Sequence, residues 1–149
     1  MKAITRLVLS LLLTTFAITS AYARPQCGLA TLNGSYAFTV HGQIFTPAGE
    51  ALADGIALTH FDGKGYLYQV DAVAHNGSLA EESFWRPGSG NYTLDSDCKG
   101  TMSITSGGMT LNLLIVVAKD GKTIHTVVTN PGFAITSDAE KVGLGDDMP

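Results

Sequence analysis

Cysteine is close to absent from this chain, with two in 149 residues, and tryptophan appears once. Two thiols cannot build a four-cysteine zinc site. His41, His60, His75 and His125 show no H-x-H, H-E-x-x-H or Cys/His spacing, so no metal is expected. Charge is scarce as well, at 15% of residues, and the acids are scattered with no basic patch. That argues against nucleic acid and anionic membranes as partners. There is no G-x-S-x-G elbow and no glycine loop between a strand and a helix. Covalent serine chemistry and phosphate cradling therefore lack their usual sequence supports, and no cofactor is expected.

Long apolar runs are missing too, apart from Leu7 to Ile18, which is short for a membrane span of about 20 residues. Lys2 and Arg6 precede it and Ala21-Tyr22-Ala23 follows, the pattern of a secretory signal peptide cleaved after Ala23. The alternative is an uncleaved signal anchor. Arg24-Pro25-Gln26 before Cys27 lacks the small residues of a lipoprotein signal, so a secreted or periplasmic protein without a membrane anchor is expected. Cleavage leaves 126 residues, enough for one domain with its own core, carrying a net charge of −6. In an exported chain, Cys27 and Cys98 are most economically one disulfide, worth about 4 kcal/mol in the chain-entropy model. Two free thiols are the alternative.

What the chain does have is alternation. Ser35–Phe45, Ala51–Phe61, Tyr66–His75, Met109–Ala118, Lys122–Thr129 and Phe133–Ser137 read as strands, and Gly90–Thr105 reads as a β-hairpin. Asp62-Gly63-Lys64-Gly65, Asn76-Gly77, Ser106-Gly107-Gly108, Asp120-Gly121 and Asn130-Pro131-Gly132 mark turns. Leu79–Trp85 is expected to be a further strand, ended by Arg86-Pro87-Gly88-Ser89-Gly90. The segment from Asp138 to Pro149 reads as a flexible polar tail, leaving residues 24–137 as the folded domain. Eight or nine strands with local connections predict an all-β fold, a single antiparallel up-and-down barrel of about eight strands, with a β-sandwich as the alternative. Such a barrel is just wide enough for one small ligand.

Tyr36 and Phe38 share one strand face, and Tyr66 and Tyr68 share another. Together with Leu113 and Ile115 of the most apolar strand they form the expected ligand lining; plain core packing is the alternative, and the commoner one for such residues. Asp71, mid-strand beside Gln69 and His75, is the best placed acid for an inward, perturbed carboxyl, and with Tyr66 and Tyr68 it makes the candidate catalytic set. A water-facing Asp71 is the alternative. Asn33, Asn76 and Asn91 open N-x-S/T triplets; for the first two, turn chemistry accounts for the pattern.

C-G-L-A-T-L-N-G-S-Y-A-F, L-T-H-F-D-G-K-G, G-N-Y-T-L-D-S-D-C-K-G-T-M-S-I and A-K-D-G-K-T-I-H-T-V-V-T-N-P-G, from Cys27 to Gly132, resemble a family of small exported proteins. That family is thought to form a calycin-like barrel similar to allene oxide cyclase, and distantly to lipocalins and plant dirigent proteins. The resemblance implies a lumen that takes a hydrophobic small molecule. It transfers no catalytic residue. The expected function is a binder of a small, mostly hydrophobic molecule, with two alternatives: a cofactor-free cyclase or isomerase acting by confinement, and a structural module without ligand.

If the leader is a signal peptide, protein recovered from outside the cytosol begins at Arg24. Its intact mass is then two protons below the dithiol value. A retained Met1 or a reduced mass overturns the respective expectation.

Overall fold

The computed structural model describes residues 26–79 and 84–143. The signal-peptide reading, Glu81 and Glu82, and the last six residues of the expected tail lie outside that set. A short 3₁₀ turn, Leu29–Thr31, precedes nine strands: β1 (Asn33–Thr46), β2 (Gly49–Asp62), β3 (Tyr66–His75), β4 (Ser78–Leu79), β5 (Arg86–Leu94), β6 (Lys99–Ser106), β7 (Met109–Ala118), β8 (Thr123–Val128) and β9 (Phe133–Lys141).

All strand pairs are antiparallel, and each long strand pairs with the next long strand in sequence. The circle closes where β1 also pairs with β9, from Tyr36↔Lys141 to Ile44↔Phe133. The result is a closed eight-strand up-and-down barrel, with β4 as a short extra strand folded back on β3. Asn76 and Gly77 both take positive φ, 50° and 79°, as a two-residue hairpin turn requires.

Two strand limits differ from the sequence expectation. β9 runs through Asp138 to Lys141, because Glu140 pairs with both Ala37 and Thr123; those residues belong to the wall and not to a tail. β5 begins at Arg86, and within 79–85 the described residues are in strand only at Leu79. Pro87 is tolerated because its ring faces solvent and the ladder resumes around it. Gly90 and Gly100 let β5 and β6 coil tightly. A Cβ at Gly90 would lie 1.8 Å from the Ser103 carbonyl oxygen, and one at Gly100 lies 1.9 Å from that of Thr93.

The two ends of the barrel are different. One is plugged by the 3₁₀ turn and Leu32, which is fully buried. Beneath the plug, Tyr36, Phe61 and Tyr92 pack edge to face, with centroids 5.3 and 5.1 Å apart. The Tyr92 hydroxyl bonds the carbonyls of Leu29 and Leu32 at 2.9 and 3.0 Å, and the Tyr36 hydroxyl donates to the Gly121 carbonyl. Gly121 takes φ +84°, and a Cβ there would stand 2.5 Å from the Thr31 carbonyl oxygen. The Cys27–Cys98 disulfide, across 71 residues of chain, ties the plug to the β5–β6 turn. At the same end Asp62 accepts the backbone N–H groups of Lys64 and Tyr66, which holds its carboxyl below the usual range.

Burial, and secondarily the nearby Tyr92, pushes the Tyr36 phenol from 10.0 up to about 12. The folded state therefore holds that proton more tightly than the unfolded chain does. The resulting stability is whole below pH 10 and is lost as pH rises toward 12, an effect on the order of 3 kcal/mol. Tyr36→Phe leaves the Gly121 carbonyl unpaired, so we expect a loss of about 1–3 kcal/mol at neutral pH and a flatter alkaline limb. Urea denaturation between pH 7 and 12 reads both, and an alkaline limb unchanged in the variant overturns the assignment.

Candidate functional site

The other end of the barrel is open and leads into a cavity of about 150 Å³. Strand alternation builds its wall. From β1 come Phe38, Val40 and Ile44; from β6, Met102 and Ile104; from β7, Leu111 and Leu113. Val128, Phe133 and Ile135 complete the apolar side. Opposite them β2 offers only small side chains, Ala53 and Ala57, and this recess leaves the interior unfilled.

A polar strip crosses the wall on β2, β3 and β5, and its members are cross-strand partners. Thr59 faces Gln69 in the β2–β3 ladder, and Asp71 faces Arg86 in the β3–β5 ladder. The Thr59 hydroxyl donates to Gln69 Oε1 at 3.1 Å, and Gln69 Nε2 donates to Asp71 Oδ2 at 2.9 Å. Arg86 donates from Nε and Nη2 to Asp71 Oδ1, both at 2.7 Å. The Asp71 side chain is 8% exposed and that of Arg86 33%, so the pair spans from the wall to the rim. Both Asp71 oxygens are engaged. At the rim, Ser106 opposes Gly88 in the β5–β6 ladder, and its buried Oγ has no hydrogen-bond partner. Lower down, Thr126 and Ser137 satisfy each other at 2.6 Å.

Of the residues expected to line a ligand site, Phe38 and Leu113 border the cavity. Tyr36 and Ile115 are buried but are not part of its wall; Tyr36 belongs to the aromatic layer at the plugged end. Tyr66 and Tyr68 do not face the lumen. They are 47% and 49% exposed on the outer face, where Tyr68 stacks on His60 at 4.9 Å. The physical reason is the register of β3 on β2, which turns Leu67, Gln69, Asp71 and Val73 inward. Tyr66 and Tyr68 therefore drop out of the candidate catalytic set, and Asp71 alone of that set faces inward. Among the polar lumen residues, sequence reasoning did not select Gln69, His75, Arg86, Ser106 or Ser137. Arg86 was hidden by its Pro-Gly neighbours, although Arg86, Gly88, Gly90, Tyr92 and Leu94 fall on one alternating face.

Of the remaining histidines, His75 borders the cavity at its mouth, and His41 and His125 stand outside. His41 pairs with Asp54 at 3.0 Å and His125 with Asp138 at 2.5 Å, both exposed cross-strand pairs. Among the described residues no three His, Cys, Asp or Glu side chains come together as a metal site.

No family model matches the sequence, and no curated protein does. Among solved structures the chain is similar to a redesigned β-barrel, mFAP0, bound to DFHBI. The two are 14% identical over 74% of this chain and 99% of that one, with a TM-score of 0.45.

Arg86→Met leaves Asp71 buried without its cation, and should lower stability by about 3 kcal/mol. Combining it with Asp71→Leu should recover half or more of the loss, since no charge is then buried. Urea unfolding of the two variants tests this. A single variant as stable as the parent shows that the pair does not hold the wall.

Proposed function

We propose that this is an exported protein that binds a small, mostly apolar molecule in the lumen of its barrel. The observation that carries this reading is the cavity itself, about 150 Å³, open at one end and walled by Phe38, Val40, Met102, Ile104, Leu113 and Ile135. A cavity of that size holds a benzene-sized body, and along its apolar side water gains little for want of polar partners. Burying such a body is favourable at about 25 cal/mol per Å² of apolar surface, less the cost of immobilising it. The disulfide fits an oxidising compartment, in keeping with export by the N-terminal leader. Catalysis by confinement, the alternative, would need Asp71 as its acid or base. Both of its oxygens are occupied by Arg86 and Gln69, so binding is the better supported role.

The test uses toluene, ethylbenzene and cyclohexane as probes, followed by amide chemical shifts and by melting temperature. Binding is expected to shift the amides of Phe38, Met102 and Leu113, and to leave those of the outer face on β8 and β9 unmoved. Ala57→Leu places a larger side chain in the recess and should weaken every probe by about tenfold or more. If no probe shifts the lumen amides, or if Ala57→Leu binds them equally well, the reading falls.

A further inference from the structure

The polar groups at the mouth are unbalanced, and the imbalance says what the ligand's polar end must be. The carboxylate and amide oxygens of the strip are spent: Asp71 Oδ1 takes Arg86, Asp71 Oδ2 takes Gln69, and Gln69 Oε1 takes Thr59. Donors are in surplus. Arg86 carries five N–H groups and gives Nε and Nη2 to Asp71, leaving Nη1 without an acceptor among the described residues. Nη1 lies against the β6–β7 turn, only 3.4 Å from where a Cβ on Gly107 would be. Beside that turn the Ser106 hydroxyl is buried with no partner. A guanidinium edge and a hydroxyl therefore lie at one rim with no acceptor among the described residues.

Charge adds a second constraint. The guanidinium is matched by the Asp71 carboxylate at 2.7 Å, so the pair offers donors without net charge. A carboxylate entering this rim would lose its hydration and face Asp71 as well as Arg86, with neither a lysine nor a second arginine among the lining residues to offset it; His75 is the one other ionisable base there. A neutral carbonyl meets the same donors without that cost.

Resting on the lumen-binding reading, we propose that the natural ligand is an uncharged molecule with a body of about benzene size and one carbonyl oxygen. That oxygen accepts from Arg86 Nη1 and Ser106 Oγ at the mouth. Asp71 acts as a selectivity residue: by neutralising Arg86 it rejects carboxylates of the same skeleton.

Acetophenone, benzoate and ethylbenzene are near-isosteric and separate these terms when titrated at pH 8 with amide shifts as the readout. Acetophenone is expected to bind the parent protein about tenfold or more tighter than benzoate. Ser106→Ala should weaken acetophenone by about three- to tenfold and leave ethylbenzene unchanged. Asp71→Asn frees the guanidinium charge while a flipped Gln69 amide keeps the chain of hydrogen bonds, and should reverse the preference toward benzoate. Benzoate within about threefold of acetophenone on the parent, or indifference to Ser106→Ala, overturns the proposal. Should Asp71→Asn not fold, the Ser106→Ala comparison decides alone. Ethylbenzene binding as tightly as acetophenone defeats the carbonyl assignment and leaves lumen binding standing. Failure of all three probes defeats the lumen reading itself.

Discussion

The ladder between β1 and β9 is the constraint on which everything else rests. It joins the first long strand to the last, and without it the sheet would expose two unpaired edges. Once it forms, each strand has an inside and an outside, and alternation sorts every side chain to one or the other. The partners across this seam are also the longest-range pairs in the fold, so closure is the step with the greatest loop-entropy cost. The disulfide and the plug lie at the same end as Tyr36 and Lys141, and so reinforce the seam where it begins.

The interior divides along its axis by side-chain size. At the plugged end the inward positions hold Tyr36, Phe61, Leu67 and Tyr92, and they fill the section completely. Toward the mouth the same strands turn in Ala53, Ala57 and Gly88, and the section is left partly empty. One strand thus contributes to floor and lumen in turn, through the choice of residue at every second position. The polar strip belongs to this second half. Each of its links joins residues paired across neighbouring strands, or two apart on one strand, which holds the carboxylate of Asp71 in place at the wall.

Much of the fold was legible because local signals were strong. Asn76-Gly77, Asp62-Gly63-Lys64-Gly65, Ser106-Gly107-Gly108 and Asp120-Gly121 all fall between strands, and their spacing is that of an up-and-down barrel. The inward face of β1 was legible too, since Tyr36, Phe38, Val40 and Ile44 are the apolar set and the other set is polar. In β3 the same logic fails. One face is Tyr66, Tyr68, Val70, Ala72 and Ala74, the other Leu67, Gln69, Asp71, Val73 and His75, and it is the second, more polar set that turns inward, so polarity points to the wrong face. The choice is made by partners far away in sequence: Arg86 to receive Asp71, and His60 outside to stack on Tyr68. The site was legible only in part for the same reason. A charge buried by a partner looks, in one strand's sequence, like a charge in water. Asp138 illustrates the converse error, where a run of polar residues was an exposed strand face and not a tail.

The chain enters and leaves the barrel by the plugged end. Cys27 lies beside the β5–β6 turn there, and Lys141 and Val142 bond back to Lys122 and Ser35 at the same rim. The mouth is roughly 25 Å away, the axial rise of a tilted strand of about nine residues. A carrier domain, affinity handle or solid support joined directly at Gln26 or Gly143 would attach at the floor of the barrel, on the side opposite to the traffic of small molecules.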